Sequence, residues 1–257
     1  MTTEQREWTR RLAWEGLLNA RDLGGYPAAG GRQTRWGAVV RSDSLDALTE
    51  AGRAALAGYG VRAVVDLRLP DELARRPNPF ASPGEHGIVY TNVSILDPAA
   101  GFPPDTLTLA DNYLWSLDRF AGLVAAAVSA VAAAPEGGVL VHCAAGKDRT
   151  GLISALLLGL VGVPAETIAA DYAMTAELLA PRDQEWLERG PGERAEREAV
   201  AARFAPTAEV MLAVLDGLDR RYGGVARYLA AAGVSPADLR RLRDRLLAPP
   251  GQAGPGR

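Results

Sequence analysis

One cysteine, one lysine and two histidines are all that this 257-residue chain contains of those three residue types. A lone cysteine excludes an intramolecular disulfide framework and suits a reducing compartment. One cysteine and two histidines are also too few soft ligands for a protein-held metal centre, so no metal is expected. A basic tract is missing too: 28 Lys and Arg mix with 31 Asp and Glu for a net charge of −3, which argues against a nucleic-acid partner. Long apolar runs are absent. The two oiliest stretches, 121–134 (AGLVAAAVSAVAAA) and 151–163 (GLISALLLGLVGV), fall short of the roughly 20 residues a membrane span needs. Both read as buried helices, and no membrane span is expected. The opening MTTEQREWTRRLAWEG is charged and lacks the apolar stretch of a secretory signal. The expected location is the cytoplasm, with export by a leaderless route left open.

What remains is an ordinary folded composition, 48% hydrophobic and 23% charged, long enough to bury a real core. Short β-branched runs read as strands at 35–45, 61–68, 87–95 and 138–143. Between them lie helical stretches at 49–60 and 111–134, and a further helix is expected over 149–162. This alternation predicts an α/β fold, a central, mainly parallel sheet flanked by helices. Beyond about 165 the pattern is helical throughout. The densely charged stretch 177–206, interrupted by Pro and Gly, reads either as a helical lid or as the solvated face of two surface helices. One domain is expected over 1–250, with a flexible tail at 251–257.

Of the 28 basic residues 27 are Arg, so the one lysine is a departure from habit. It lies in HCAAGKDRTG, residues 142–151, with the only cysteine four positions before it. A strand runs into this segment and a helix follows. A tight loop opening a helix gathers backbone N–H groups into one concavity that binds anions. Residues Ala144, Ala145, Gly146, Lys147, Asp148 and Arg149 would line it, with Gly146 allowing the bend and Arg149 offering a two-pronged donor to phosphate oxygens. In that field the Cys143 thiolate is favoured and becomes a nucleophile. Thr150 can hydrogen-bond the sulfur when it leaves. His142, on the opposite face of the strand from Cys143, reads as a buried donor that orients the loop rather than as a base. A Walker-type nucleotide loop fails on spacing, since Val141 and Asp148 stand where it needs Gly and Ser or Thr.

His-Cys-(X)5-Arg-Thr at 142–150 is the signature of the cysteine-dependent protein tyrosine phosphatases, and the chain resembles that family. The G-K-D-R-T variant, N-A-R-D-L-G-G-Y at 19–26, V-V-D-L-R at 64–68, D-Y-A-M-T at 171–175 and G-G-V-A-R-Y-L at 223–229 are similar to one bacterial branch. That branch has mycobacterial and listerial members, a lipid phosphatase among them. The resemblance spans about residues 15–247. It implies a cysteinyl-phosphate intermediate, no metal or cofactor, Cys143 as nucleophile and Arg149 as phosphate clamp. Lys147 is implied to add positive charge at the pocket mouth, as in relatives that accept phosphoinositides. Some members carry a mobile helical lid, for which 177–206 is the matching place.

The leaving oxygen needs a proton donor. The best-known tyrosine phosphatases use a Trp-Pro-Asp loop, and this chain has none. Two acids compete: Asp148 within the loop and Asp66 at the end of the V-V-D-L-R strand, on the sheet edge where ligands bind. Position favours Asp148, while Asp66 has a structural reading beside Arg68. Asp22 reads as a turn-forming carboxylate. The expected function is hydrolysis of phosphotyrosine, releasing inorganic phosphate, with activity on phosphoserine, phosphothreonine or phosphoinositides as an extension. A primary phosphoinositide phosphatase and a phosphate-binding pseudo-enzyme are the rivals. An arsenate reductase lacks its second cysteine.

Overall fold

The structure, a computed structural model, describes residues 9–82 and 87–249; the tail expected at 251–257 lies outside them. Strands β1 (Arg21–Asp22), β2 (Pro27–Ala28) and β3 (Arg32–Gln33) are short, and β2 and β3 form a hairpin of their own. They precede β4 (Val39–Ser42), helix α1 (Glu50–Tyr59), β5 (Val61–Asp66), α2 (Pro70–Arg75) and β6 (Val89–Asn92). Helices α3 (Leu109–Arg119) and α4 (Ala121–Ala133) lead to β7 (Gly138–His142) and α5 (Asp148–Leu160). The remainder is helical: α6 (Ala165–Arg189), α7 (Arg194–Arg203), α8 (Ala208–Tyr222), α9 (Val225–Ala232) and α10 (Pro236–Leu246).

The main sheet runs β1-β4-β7-β5-β6, parallel except for β1 at one edge. β7 is central because both its faces are apolar and every residue from Gly138 to His142 is buried, the pattern of a strand covered on both sides. Side chains alternate across the sheet. Val139, Val141 and Cys143 join the core built with α3, α4, α5 and the C-terminal helices. Leu140 joins Val40, Val64, Leu56 and Phe80 in a second core on the other face. α1 starts where the Thr49 side chain accepts from Gly52 N–H and stops at Gly60, whose φ of +102° forms the left-handed cap.

Two local expectations change. The stretch 111–134 is two helices meeting at 83°. The break falls at Phe120, which buries its ring against Trp115 and closes α3 by donating its N–H to Ser116. It also separates an amphipathic helix from one that is apolar nearly all round. Pro181 does not interrupt α6, which runs 25 residues through it. Among the described residues no single helix is long and apolar enough to cross a membrane.

Candidate functional site

The parallel register sets Asp66 of β5 beside His142 of β7, so both carboxyl ends meet at the start of the 143–149 loop. Gly146 turns this loop with a φ of +66°. A Cβ there would lie 2.4 Å from the Ser42 carbonyl oxygen, so only glycine fits.

Five consecutive carbonyls of this segment are held from outside. His142 Nδ1 lies 3.1 Å from the Cys143 oxygen, which can only accept, so Nδ1 carries the hydrogen. The amide N–H of Ser44 donates to Ala144 at 3.1 Å. Asn19 Nδ2 donates to the oxygens of both Ala145 and Gly146, at 3.0 and 3.1 Å. Arg41 Nη2 also donates to Gly146, at 2.7 Å, and Gly151 N–H takes the Lys147 oxygen. The amides of residues 144–147 donate to no acceptor among the described residues. The carbonyls are therefore held while these N–H groups stay unbonded next to Cys143, which is 2% exposed.

Behind the loop lies a buried ionic network. Asp171 accepts from Arg21 Nε at 3.0 Å, Arg41 Nη1 at 2.7 Å and the Tyr26 hydroxyl at 2.9 Å. Arg21 also bonds Thr175. Burial alone would raise the Asp171 pKa, but the charges of Arg21 and Arg41 hold it down at about 2. Burial, and then Arg21, push the Arg41 guanidinium down to about 10. Asn19 in turn is fixed by Asp43, which accepts its N–H at 3.0 Å, and by Arg21 Nη1. The motifs at 19–26 and 171–175 thus meet as the support of the loop. Asp22 accepts from the amides of Gly24 and Gly37, both at 2.7 Å, the turn-forming role expected of it.

Each candidate side chain has a defined place. Arg149 presents Nη1 and Nη2 to Glu72 at 2.6 and 2.7 Å, and Nη1 to the Leu67 carbonyl at 3.2 Å. Burial disfavours its charge, but Glu72 and Cys143 outweigh this and raise its pKa. Of the five guanidinium donors these bonds leave one on Nη2 and the one on Nε. The Asp148 carboxylate accepts from the Tyr113 hydroxyl, which lies 2.8 Å from the Tyr172 hydroxyl. Burial, then the Asp148 charge, push the Tyr113 pKa well up, so Tyr113 stays a donor. Lys147 reaches sideways, its Nζ 3.0 Å from the Phe204 carbonyl and 3.7 Å from Asp148. The Thr150 hydroxyl, fully buried, makes no hydrogen bond.

Asp66 is placed otherwise. Its carboxylate takes Arg68 Nη2 at 2.7 Å, Asn78 Nδ2 and the Tyr90 hydroxyl at 3.1 Å each, and lies 3.2 Å from His142 Nε2. Burial raises its pKa, but His142 and Arg68 outweigh this and leave it below the ordinary carboxylate range. Among the described residues no group of three or more His, Cys, Asp or Glu side chains could hold a metal ion.

The sequence profile of the tyrosine phosphatase family matches residues 12–248. The chain belongs to that family. A tyrosine-protein phosphatase of Nostoc commune is 35% identical over 84% of this chain and 75% of its own length. The triple specificity protein phosphatase PtpB of Mycobacterium tuberculosis is 30% identical over 90% of this chain and 97% of its own. A solved structure of P. aeruginosa TpbA in complex with phosphotyrosine covers 68% of this chain at 20% identity with a TM-score of 0.28, a slight likeness.

Several residues of this phosphatase site carry no motif readable in advance. Glu72 sits three residues into α2, where its carboxylate also accepts the Leu69 N–H; its only sequence signal was an acid in a first helical turn. Tyr113 and Arg41 look like ordinary helix and strand residues until folded. Asn19 stood in a motif whose purpose only the two carbonyl contacts reveal.

Proposed function

We propose that this phosphatase hydrolyses phosphotyrosine through a covalent cysteinyl-phosphate, without metal or other cofactor. The loop 143–149 is the phosphate-binding loop. Its outward-tied carbonyls are the observation that carries the reading, because they leave a preorganised set of N–H donors for an anion. Cys143 Sγ attacks phosphorus as the bond to the leaving oxygen breaks. Asp148 gives that oxygen its proton, and Arg149 meets the phosphoryl oxygens with its two remaining N–H groups. Water then attacks phosphorus and passes a proton to the Asp148 carboxylate. The sulfur leaves as thiolate and inorganic phosphate departs. The unbonded Thr150 hydroxyl is a buried donor available to that thiolate, which accounts for leaving it otherwise unsatisfied.

Asp148 is preferred over Asp66 because it is half-exposed at the loop, with Tyr113 and Lys147 beside it, whereas Asp66 is buried and locked to Arg68 and His142. His142 acts on the loop through the Cys143 carbonyl. The relative named for triple specificity supports more than one substrate class, and we include phosphoserine, phosphothreonine and phosphoinositides as further substrates. A cytoplasmic location follows from the need to keep Cys143 reduced. The pair α6–α7 is the candidate lid over 177–206, with the Phe204 carbonyl against Lys147 as its contact with the loop.

Initial rates on a phosphotyrosine peptide, a phosphoserine peptide and phosphatidylinositol phosphates, all in chelator, test this. Turnover of phosphotyrosine is expected, and its abolition in Cys143→Ser with phosphate still bound. No turnover of any of the three overturns the reading.

A further inference from the structure

Beside the loop opens a cavity of about 640 Å³, with Lys147, Asp148 and Arg149 on one wall. That volume lies within the range of sites built for whole ligands. Its floor is made of core residues, among them Leu117, Val124 and Leu152. Its mouth carries Phe102, 76% exposed, and Val200, 45% exposed. Two of the five large hydrophobic side chains left in solvent among the described residues thus edge one pit. Apolar surface gathered in one place, and continuous with a reactive loop, marks a contact site.

Resting on the phosphatase reading above, we infer that this pit is a specificity pocket for a large apolar side chain next to phosphotyrosine in a protein substrate. The phosphoryl group and the pit share a wall, so a peptide anchored by its phosphate has its neighbouring residues beside Phe102 and Val200. The rim decides the class of substrate. The lining holds three acids, Asp97, Asp105 and Asp148, against three bases, Lys147, Arg149 and Arg203; Arg149 is paired with Glu72, and Lys147 and Arg203 donate to the Phe204 and Asp105 carbonyls. This balance leaves no basic excess of the kind that draws a protein to an anionic membrane surface. It suits a peptide segment with apolar or basic flanks.

Two phosphotyrosine peptides test this, identical except that leucines flank the phosphotyrosine in one and alanines in the other. The expected kcat/KM ratio is roughly tenfold in favour of leucine, the discrimination usual for added methylenes in an apolar pocket. In the double variant Phe102→Ala, Val200→Asp the ratio should fall to about one. Taking the ratio within each preparation cancels any loss of folded enzyme. Equal rates on the two peptides in the unaltered enzyme, or a leucine preference that survives in the variant, overturn this inference alone. A preference confined to phosphoinositide in vesicles over its soluble headgroup makes the pit an acyl site and overturns it too. No turnover of either peptide overturns the phosphatase reading itself, and this one with it.

Discussion

Glu72 grips both terminal nitrogens of Arg149, at 2.6 and 2.7 Å, from the first turn of a six-residue helix. The carboxylate fixes the plane of the guanidinium and leaves Nε and one Nη2 hydrogen unbonded. Glu72→Gln removes the charge and leaves one acceptor for the two nitrogens, and should lower kcat by about tenfold on p-nitrophenyl phosphate as the guanidinium loses its fixed orientation. Steady-state kinetics of the variant check it. A faster variant would mean that Glu72 masks the clamp instead of aiming it.

Leaving-group dependence separates the two acids. Asp148→Asn should slow phenyl and alkyl phosphates much more than p-nitrophenyl phosphate, whose oxygen leaves without help. Asp66→Asn should instead cost about 3–5 kcal/mol of stability, because Arg68 loses its buried partner. Urea unfolding measures the second effect and a set of aryl phosphates the first. A steep dependence in Asp66→Asn and a flat one in Asp148→Asn would reverse the assignment.

Acid should loosen the support of the loop. The Asp171 carboxyl is held at about 2 in the folded state against about 3.9 in an unfolded chain. Its contribution is whole above pH 4 and drains away as pH falls toward 2. The urea midpoint should drop through that window, and Asp171→Asn should remove this part of the drop. The same variant leaves Arg21 and Arg41 buried without their carboxylate, and a loss of about 3–5 kcal/mol at neutral pH is expected.

Gly146→Ala sets a side chain 2.4 Å from the Ser42 oxygen and 2.6 Å from the Asp43 nitrogen. Both are backbone atoms that cannot swing aside, so the loop must move. Turnover of p-nitrophenyl phosphate should fall at least 100-fold while circular dichroism keeps its folded signature.

The loop, its strand and its helix were legible because their chemistry is local: a buried run, a glycine, and a cysteine and an arginine with five residues between them. The α/β class followed from the spacing of apolar runs for the same reason. What escaped was long-range or shared. Phe120 breaks a helix only because its ring finds Trp115, and Pro181 is carried by the helix around it. Tyr113 reaches Asp148 across 35 positions, and no period in the sequence marks that meeting. Asp66 had a structural reading beside Arg68 in the sequence, but Asn78 and Tyr90, which complete its partners, lie 12 and 24 positions away.

The tie between Arg21 and Asp171 joins residues 150 positions apart. A growing chain therefore exposes Cys143 well before the carboxylate that seats Arg21 and Arg41 has been made. Until Asp171 has emerged, two arginines meant for the interior have no anion to enter with. The support of the loop is complete only when that ring of contacts has closed.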